Sequence, residues 1–216
     1  METKNICNEY LQAALNAERF RCHKIIDDAL VSGMTILEVY EKVFYPVMVH
    51  VGELWQHNEI NVAQEHLVTA ITQNIISTIY PTLLKYSKNS VNGNAIVVCP
   101  GNELHELGAR MLSDLWEMEG WDVSYLGANL PVEYIADTLN NGDYQILALS
   151  CTISFNLKYV KETIEKVRSN TNFDGDIVVG GRVFNIDTSL KDYVVADYHV
   201  ADLYSAIDFI SAYHCK

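Results

Sequence analysis

The sequence predicts an α/β protein with an all-α N-terminal part: a four-helix bundle followed by a parallel sheet flanked by helices. Three observations carry this. Up to residue 86, apolar residues recur at helical spacing. From residue 95, short apolar strands alternate with helical stretches, the pattern of a buried parallel sheet. Between the two, Ser87-Lys88-Asn89-Ser90-Val91-Asn92-Gly93-Asn94 is polar with one Gly and reads as a linker. The expected domains are 1–88 and 93–216.

In the first part, Tyr10-Leu11-Ala14-Leu15 and Ile25-Ile26-Ala29-Leu30 form two apolar stripes. Ile36-Leu37-Tyr40-Val43-Phe44 and Val47-Val51-Leu54-Trp55 continue the helical period. Gly33 fits a helix end and Thr35 a helix start. Asn61-Val62-Ala63-Gln64 is an N-cap with a polar residue three positions on, a capping-box variant. A long helix is therefore expected through His66, Ala70, Ile71, Ile75 and Ile79, with Pro81 as a late kink or stop. In the second part, strands are expected over 95–99, 122–126, 146–150 and 176–179, with a short fifth over 193–196. Helices are expected over 107–119 (closed by Gly120), 132–139, 157–169 and 201–213.

Composition narrows the function classes. The net charge of the 216 residues is −13 and the pI about 4.8, which argues against a face for nucleic-acid phosphate. No apolar run approaches membrane-spanning length, and Met1-Glu2-Thr3-Lys4-Asn5 is not a signal peptide, so a cytoplasmic location is expected. The five cysteines, Cys7, Cys22, Cys99, Cys151 and Cys215, are odd in number and irregularly spaced, as reduced thiols are. Cys99 and Cys151, in apolar strands, are read as small core residues. No Ser/His/Asp order, phosphate loop or Gly-x-Gly-x-x-Gly stands out, so no independent catalytic machinery is expected.

The chemistry concentrates in Val97-Val98-Cys99-Pro100-Gly101-Asn102-Glu103-Leu104-His105-Glu106-Leu107-Gly108. An apolar strand meets a Pro-Gly turn, and Glu-x-His-x-x-Gly then opens a helix. That order puts one imidazole at the C-terminal edge of a sheet, where open α/β sheets bind ligands. Neutral imidazole is the commonest metal ligand among side chains. No cluster of further ligands sits nearby, so a metal there is not held by protein alone. Plainer alternatives stay open at this point. His105 reads also as a loop histidine, and Glu103 as a carboxylate beside a helix dipole. Gly180-Gly181 reads also as a turn, Trp55 as bundle core, and Glu65-His66 as a solvated first helical turn.

Taken in order, Glu103-x-His105-x-x-Gly108, Ser150-x-Thr152 and Gly180-Gly181 resemble the cobalamin-binding Rossmann-like domain. Trp55, nine residues and then Glu65-His66 resemble the helical cap of the light-sensing cobalamin photoreceptors, which regulate transcription. The resemblance runs from about Tyr10 to Ile210. It implies a flavodoxin/Rossmann-like sheet and a corrinoid that fills four cobalt positions in a plane, with His105 as the one axial ligand from the protein. It implies that Glu103 accepts a hydrogen bond from the second ring nitrogen of His105, fixing the tautomer and making the ligand more basic. Gly108 then lets the ring approach the helix start. Ser150 and Thr152 flank the displaced nucleotide tail on one side and Gly180-Gly181 on the other. Trp55 supplies an apolar wall on the upper face, with Glu65 and His66 near the upper ligand.

The chain departs from the resembled pattern in places. Glu103 stands where methyl-transfer corrinoid proteins commonly have Asp, and Thr152 where Leu is often seen. Some photoreceptors place a His directly after the cap Trp; here Gln56 follows Trp55 and His57 comes next, a helical rotation of roughly 100° away. A light-formed bis-histidine adduct would need His57 or His66. A DNA-binding module such as those photoreceptors carry before the bundle is not expected here, so output is expected through a partner protein or a change of oligomeric state, without direct nucleic-acid contact. The expected function is a cobalamin-binding sensor, light-responsive through cleavage of the cobalt–carbon bond of adenosylcobalamin or methylcobalamin. The alternatives are a corrinoid carrier of a methyltransferase system and a sensor of another tetrapyrrole, haem or a bilin.

Overall fold

The computed structural model describes residues 3–88 and 91–213. Asn89 and Ser90 of the expected linker, His214 and Cys215 lie outside the described residues. The chain forms two compact units, Met1–Lys85 and Tyr86–Lys216.

The helical unit runs α1 (Thr3–Leu15), α2 (Arg19–Val31), α3 (Ile36–Val39), a π-helical turn (Tyr40–Phe44), α4 (Tyr45–Gln56) and α5 (Val62–Tyr86). Residues 36–56 are one continuous helical run, so the described residues of the unit form four helices. Both expected caps form. Glu38 N–H donates to Thr35 Oγ1 (3.1 Å) while Thr35 N–H donates to Glu38 Oε2 (3.0 Å). Gln64 N–H donates to Asn61 Oδ1 and Asn61 N–H to Gln64 Oε1, both at 3.0 Å. The apolar stripes of the four helices meet in a core that includes Tyr10, Ile26, Tyr40, Phe44, Val51 and Ile75.

The π turn has a cause in the sequence. Pro46 has no N–H to give the carbonyl of Lys42, four residues back. The helix widens there: Tyr45 N–H reaches Tyr40 O, and the Cys7 thiol of α1 donates to Lys42 O at 2.9 Å. Pro81 neither stops α5 nor ends its burial; Leu83 beyond it is fully buried.

One expectation needs correcting. α5 is long and apolar enough, by length and composition, to cross a membrane. Thr69, Thr72, Gln73 and Asn74 interrupt its run and hid this in the sequence. Val68, Ile71, Ile75, Ile76 and Leu83 are nonetheless buried in the helical unit, and the Tyr10 hydroxyl meets Thr72 Oγ1 at 3.0 Å.

The second unit is a five-stranded, all-parallel sheet of order β2-β1-β3-β4-β5. The strands are β1 (Asn94–Pro100), β2 (Asp122–Leu130), β3 (Ile146–Ser150), β4 (Asp176–Gly180) and β5 (Tyr198–Val200). The helices between and after them are α6 (Leu107–Met118), α7 (Val132–Asn141), α8 (Leu157–Asn170), α9 (Arg182–Ile186), α10 (Leu190–Tyr193) and α11 (Leu203–Ala212). Alternate strand residues feed two cores, as the two-residue pleat requires. Ile96, Val98, Leu147, Leu149 and Val179 join Ile135 of α7 and Val160 of α8. Ala95, Val97, Cys99, Ala148 and Val178 join Ala109 and Trp116 of α6 and Ile210 of α11.

β1 is paired on both sides, with β2 and β3 leaving it in opposite directions. Its C-terminal end is thus the switch point of the sheet, where a crevice opens between the following loops. The fifth strand differs from the one expected. Residues 193–196 are not a strand: Tyr193 ends α10, Val194 is buried in the α7–α8 core and Val195 is exposed. The edge strand is Tyr198–Val200 instead, pairing with Val178–Gly180. Its central His199 breaks the apolar run that sequence reading looks for.

Candidate functional site

β1 ends at Pro100 and the chain turns through Gly101, whose φ of +60° suits glycine. A Cβ at Gly101 would lie 2.3 Å from the Tyr159 ring, so the turn hugs α8 closely. Asn129 N–H, from the bulged end of β2, then holds Glu103 O at 3.0 Å. This turn aims the Glu103 carboxylate inward and leaves His105 at the surface.

Glu103 is fully buried and draws donors from two loops. His105 Nδ1–H donates to Oε1 at 2.5 Å and His105 N–H to the same oxygen at 3.0 Å. Thr152 N–H and Ile153 N–H, from the loop after β3, donate to Oε2 at 2.8 and 3.4 Å. The Asn156 side chain also bonds the carboxylate, and its Nδ2 reaches Asn102 O at 3.5 Å. Burial alone would push the Glu103 carboxyl up. The His105 ring, the Thr152 and His105 amides and Asn156 outweigh it and hold the group at about 2. With the carboxylate fixed on Nδ1, Nε2 is the ring nitrogen with the chemistry to ligate a metal. The imidazole side chain is 52% exposed.

The two loops that meet at Glu103 also expose apolar side chains: Leu104 is 68%, Ile153 40% and Phe155 67% exposed. Half a histidine ring among three exposed apolar residues suits a flat, largely apolar ligand better than water. Gly108, two positions into α6, is exposed, and a Cβ there would meet nothing within 4 Å. This chain's own packing does not demand the glycine. Among the described residues no group of three His, Cys, Asp or Glu stands close enough to hold a metal ion. The residues present therefore fit a ligand that brings its own metal equator and needs one axial nitrogen.

Ser150 ends β3 in register with Gly180, the last residue of β4. Gly181 has φ +115°, and a Cβ on it would sit 2.1 Å from Cys151 O. Only glycine lets the end of β4 press so closely on the strand that delivers Thr152. Thr152 takes part in holding Glu103 through its backbone N–H. Two participants went unnoticed in the sequence. Asn156 sits at the N-cap of α8 without capping it, because its amide serves Glu103 and Asn102. Tyr125 donates to Glu106 Oε2 at 3.0 Å, beside the motif histidine.

In the helical unit, Trp55 is half-exposed in the last turn of α4, Gln56 ends that helix and His57 is its C-cap. Glu65 and His66 occupy the first turn of α5. The Glu65 carboxylate bonds His66 Nδ1 and accepts from Thr69 Oγ1 at 3.0 Å. The His66 side chain is 74% exposed.

A family model described as a B12 binding domain matches residues 93–203, and a second B12 binding domain model matches residues 6–80. The chain is 25% identical over 175 residues to the HTH-type transcriptional repressor CarH of Myxococcus xanthus, covering 80% of this chain and 56% of that protein. The chain thus spans little more than half the length of that relative. It is 22% identical over 172 residues to monomethylamine corrinoid protein 2 of Methanosarcina mazei, covering 78% of this chain and 79% of that one. Among solved structures, the monomethylamine corrinoid protein of Methanosarcina barkeri superposes with a TM-score of 0.82 at 18% identity, covering 96% and 98% of the two chains.

Proposed function

This chain belongs to the B12 binding domain family, and we propose that it holds a corrinoid through His105 and works as a light-responsive cobalamin sensor. The observation that carries corrinoid binding is the buried Glu103 carboxylate fixed on His105 Nδ1 at the C-terminal edge of the sheet. When bound, the corrinoid supplies a cobalt with its equatorial positions filled and, in alkyl forms, a cobalt–carbon bond that visible light cleaves.

The chain's own residues do the rest. Glu103 keeps the proton on Nδ1 and so keeps Nε2 a neutral donor atom. Asn156 and the Thr152 and Ile153 amides hold Glu103 in place when His105 is pulled outward. Leu104, Ile153 and Phe155 exclude water from the ligand's lower face. Gly108 leaves clearance at the start of α6, and Ser150 with Gly180-Gly181 borders the nucleotide tail. The sensor reading gives Trp55, Glu65 and His66 of the helical unit a role in the response to light, with the signal passing to a partner protein or to a second copy.

A second reading has its own support. The chain spans 79% of a methylamine corrinoid protein but 56% of the repressor. In that reading it is a corrinoid carrier, and catalysis belongs to the methyltransferases it serves. In both readings the chain presents a cofactor and is not itself an enzyme, and both place it in the cytoplasm.

The deciding experiment mixes the apoprotein with adenosylcobalamin in the dark, records the absorption spectrum, and repeats it after green light for wild type and His105→Ala. The sensor reading expects a His105-dependent bound spectrum that changes irreversibly on illumination. Stable, His105-dependent binding with no light response beyond that of free cofactor moves the assignment to the carrier. No corrinoid binding, with an iron Soret band or bilin absorption in its place, moves it to another tetrapyrrole.

A further inference from the structure

The outer face of α2 carries a stripe of side chains that the helical unit does not cover. The helix buries Cys22, Ile26 and Ala29. At about 100° per residue, the direction opposite those three is taken by Phe20, Lys24, Asp27 and Val31, which lie within about 60° of one another. All four are exposed, Phe20 at 94% and Val31 at 88%. Apolar residues scattered singly on a surface are ordinary. These two are set apart by their arrangement. The spacing of the stripe, four, three and four residues, is that of a coiled-coil seam. It runs apolar, cationic, anionic, apolar, so its two ends match and its two charges are opposite. At the Phe20 end, Ala17, Glu18, Arg19, Phe20 and Arg21 line a surface concavity. Lys24 pairs with Asp28 at 3.0 Å, one turn on, whereas Asp27 has no ion-pair partner among the described residues. In a chain of net charge −13, α2 sets Arg19, Arg21 and Lys24 against Asp27 and Asp28.

We infer that the outer face of α2 is a self-association surface, which takes α2 of a second copy in antiparallel orientation. A two-fold axis crossing the helix midway between Ile25 and Ile26 sets Phe20 of one copy against Val31 of the other. The same axis sets Lys24 of one copy against Asp27 of the other. Symmetry makes each contact twice. Val31 of each copy then meets the concavity beside Phe20 of the other. A parallel two-fold pairing would put Lys24 on Lys24 and Asp27 on Asp27, so charge selects the antiparallel register. Charge also selects the face: a chain at −13 repels its own copies along most approaches, and α2 is a stretch where cations offset anions. A helix of 13 residues is about 20 Å long and about 10 Å wide, a smaller contact than a standing complex uses. The association is therefore weak and reversible, with a Kd on the order of 0.1 mM. It goes beyond the corrinoid reading and does not depend on it, because α2 takes its shape and charge from the helical unit alone.

The experiment is sedimentation velocity on the whole chain as apoprotein, from about 5 µM to about 0.5 mM, a range that brackets the expected Kd. Wild type is compared with Phe20→Glu, with the charge reversals Lys24→Glu and Asp27→Lys, and with the double variant carrying both reversals; melting curves are recorded alongside. Wild type should shift from monomer to dimer across the range. Phe20→Glu should weaken the association at least about tenfold. Each single reversal sets like charges against each other twice per dimer and should cost about tenfold. The double variant exchanges the charges and should return to within about threefold of wild type. A wild type that stays monomeric up to about 0.5 mM overturns the inference. So does a dimer that Phe20→Glu leaves unchanged, because it uses another face. Should Phe20→Glu melt below wild type, the charge-reversal set decides: loss in both singles with rescue in the double supports the antiparallel register, and loss without rescue overturns it.

Discussion

Two Glu–His pairs, one in each unit, look alike in the sequence and differ in what holds them. In both, a carboxylate engages Nδ1. Glu103 is fully buried and is gripped by amides from the loop after β3 and by Asn156, residues 49 to 53 positions further along the chain. Glu65 keeps part of its side chain in solvent, and its partners are its own neighbour and Thr69 one turn on. Tertiary structure therefore locks the first pair, and a single helical turn arranges the second. A locked imidazole pays little ordering entropy when it takes a ligand, and a locally held one is free to change partners. That difference suits His105 to a standing axial ligand and His66 to a contact that is made and lost.

The largest effect should come from cutting the locked pair. Glu103→Ala strands the Thr152 and Ile153 amides and the Asn156 side chain in a buried site, and should cost about 3 kcal/mol of apoprotein stability in urea unfolding. A loss below 1 kcal/mol would mean that the two pairs are equally local. The same lock predicts a pH dependence. The Glu103 carboxyl sits at about 2 in the folded chain against an ordinary 4.5. Its stabilisation is complete above the ordinary value and disappears as pH falls through about 2. The stability gap between wild type and Glu103→Gln should therefore be full at pH 6 and narrow progressively between about pH 4.5 and 2. A gap that stays constant over that window would contradict the assignment.

Next in size is Gly181→Ala. The added Cβ would run into Cys151 O and has an unfavourable φ, so a loss of about 2 kcal/mol is expected. Because Cys151 leads directly into Thr152, the variant should also weaken His105-dependent corrinoid binding. Gly108→Ala should do something a packing residue cannot. With nothing within 4 Å of the new methyl, the helix should gain up to about 1 kcal/mol. Corrinoid affinity should nevertheless fall, and a variant that is both more stable and a full-strength binder would remove Gly108 from the site.

The same contrast between local and tertiary causes explains what the sequence made legible. Both helix caps, the Gly33 end, the first four strands and the Glu-x-His-x-x-Gly turn are written in neighbouring residues, and each was readable. The Glu103–His105 contact, two positions apart, was readable too. Asn156 was not, because its partner is 53 positions away and an Asn before a helix reads as a cap. The Thr152 N–H that holds Glu103 was not legible either, because any residue with an N–H serves at that point, 49 positions along the chain. The edge strand was misplaced because Val194 and Val195 carry the apolar signal, while Tyr198–Val200 owes its strand state to pairing with β4. The π turn follows from Pro46 only once Cys7 is seen to take the freed carbonyl.

The smallest effect should come from the second pair, and it is the most telling. Glu65 lies in the first turn of α5, where a carboxylate gains a few tenths of a kcal/mol from the helix dipole, and its bonds to His66 and Thr69 are local and partly solvated. Glu65→Ala should therefore change apoprotein stability by no more than about 0.5 kcal/mol. It should leave the His105-dependent binding of cobalamin in the dark intact. If His66 is a contact made and lost during signalling, the same variant should alter the rate or extent of the spectral change after green light. Freed from Glu65, the His66 ring can adopt either tautomer and need not present Nε2. A Glu65→Ala chain that binds and responds to light as wild type does would leave the second pair as a helix-end ornament and favour the carrier reading. A chain as destabilised as Glu103→Ala would show that the second pair, too, is locked by more than its own helix.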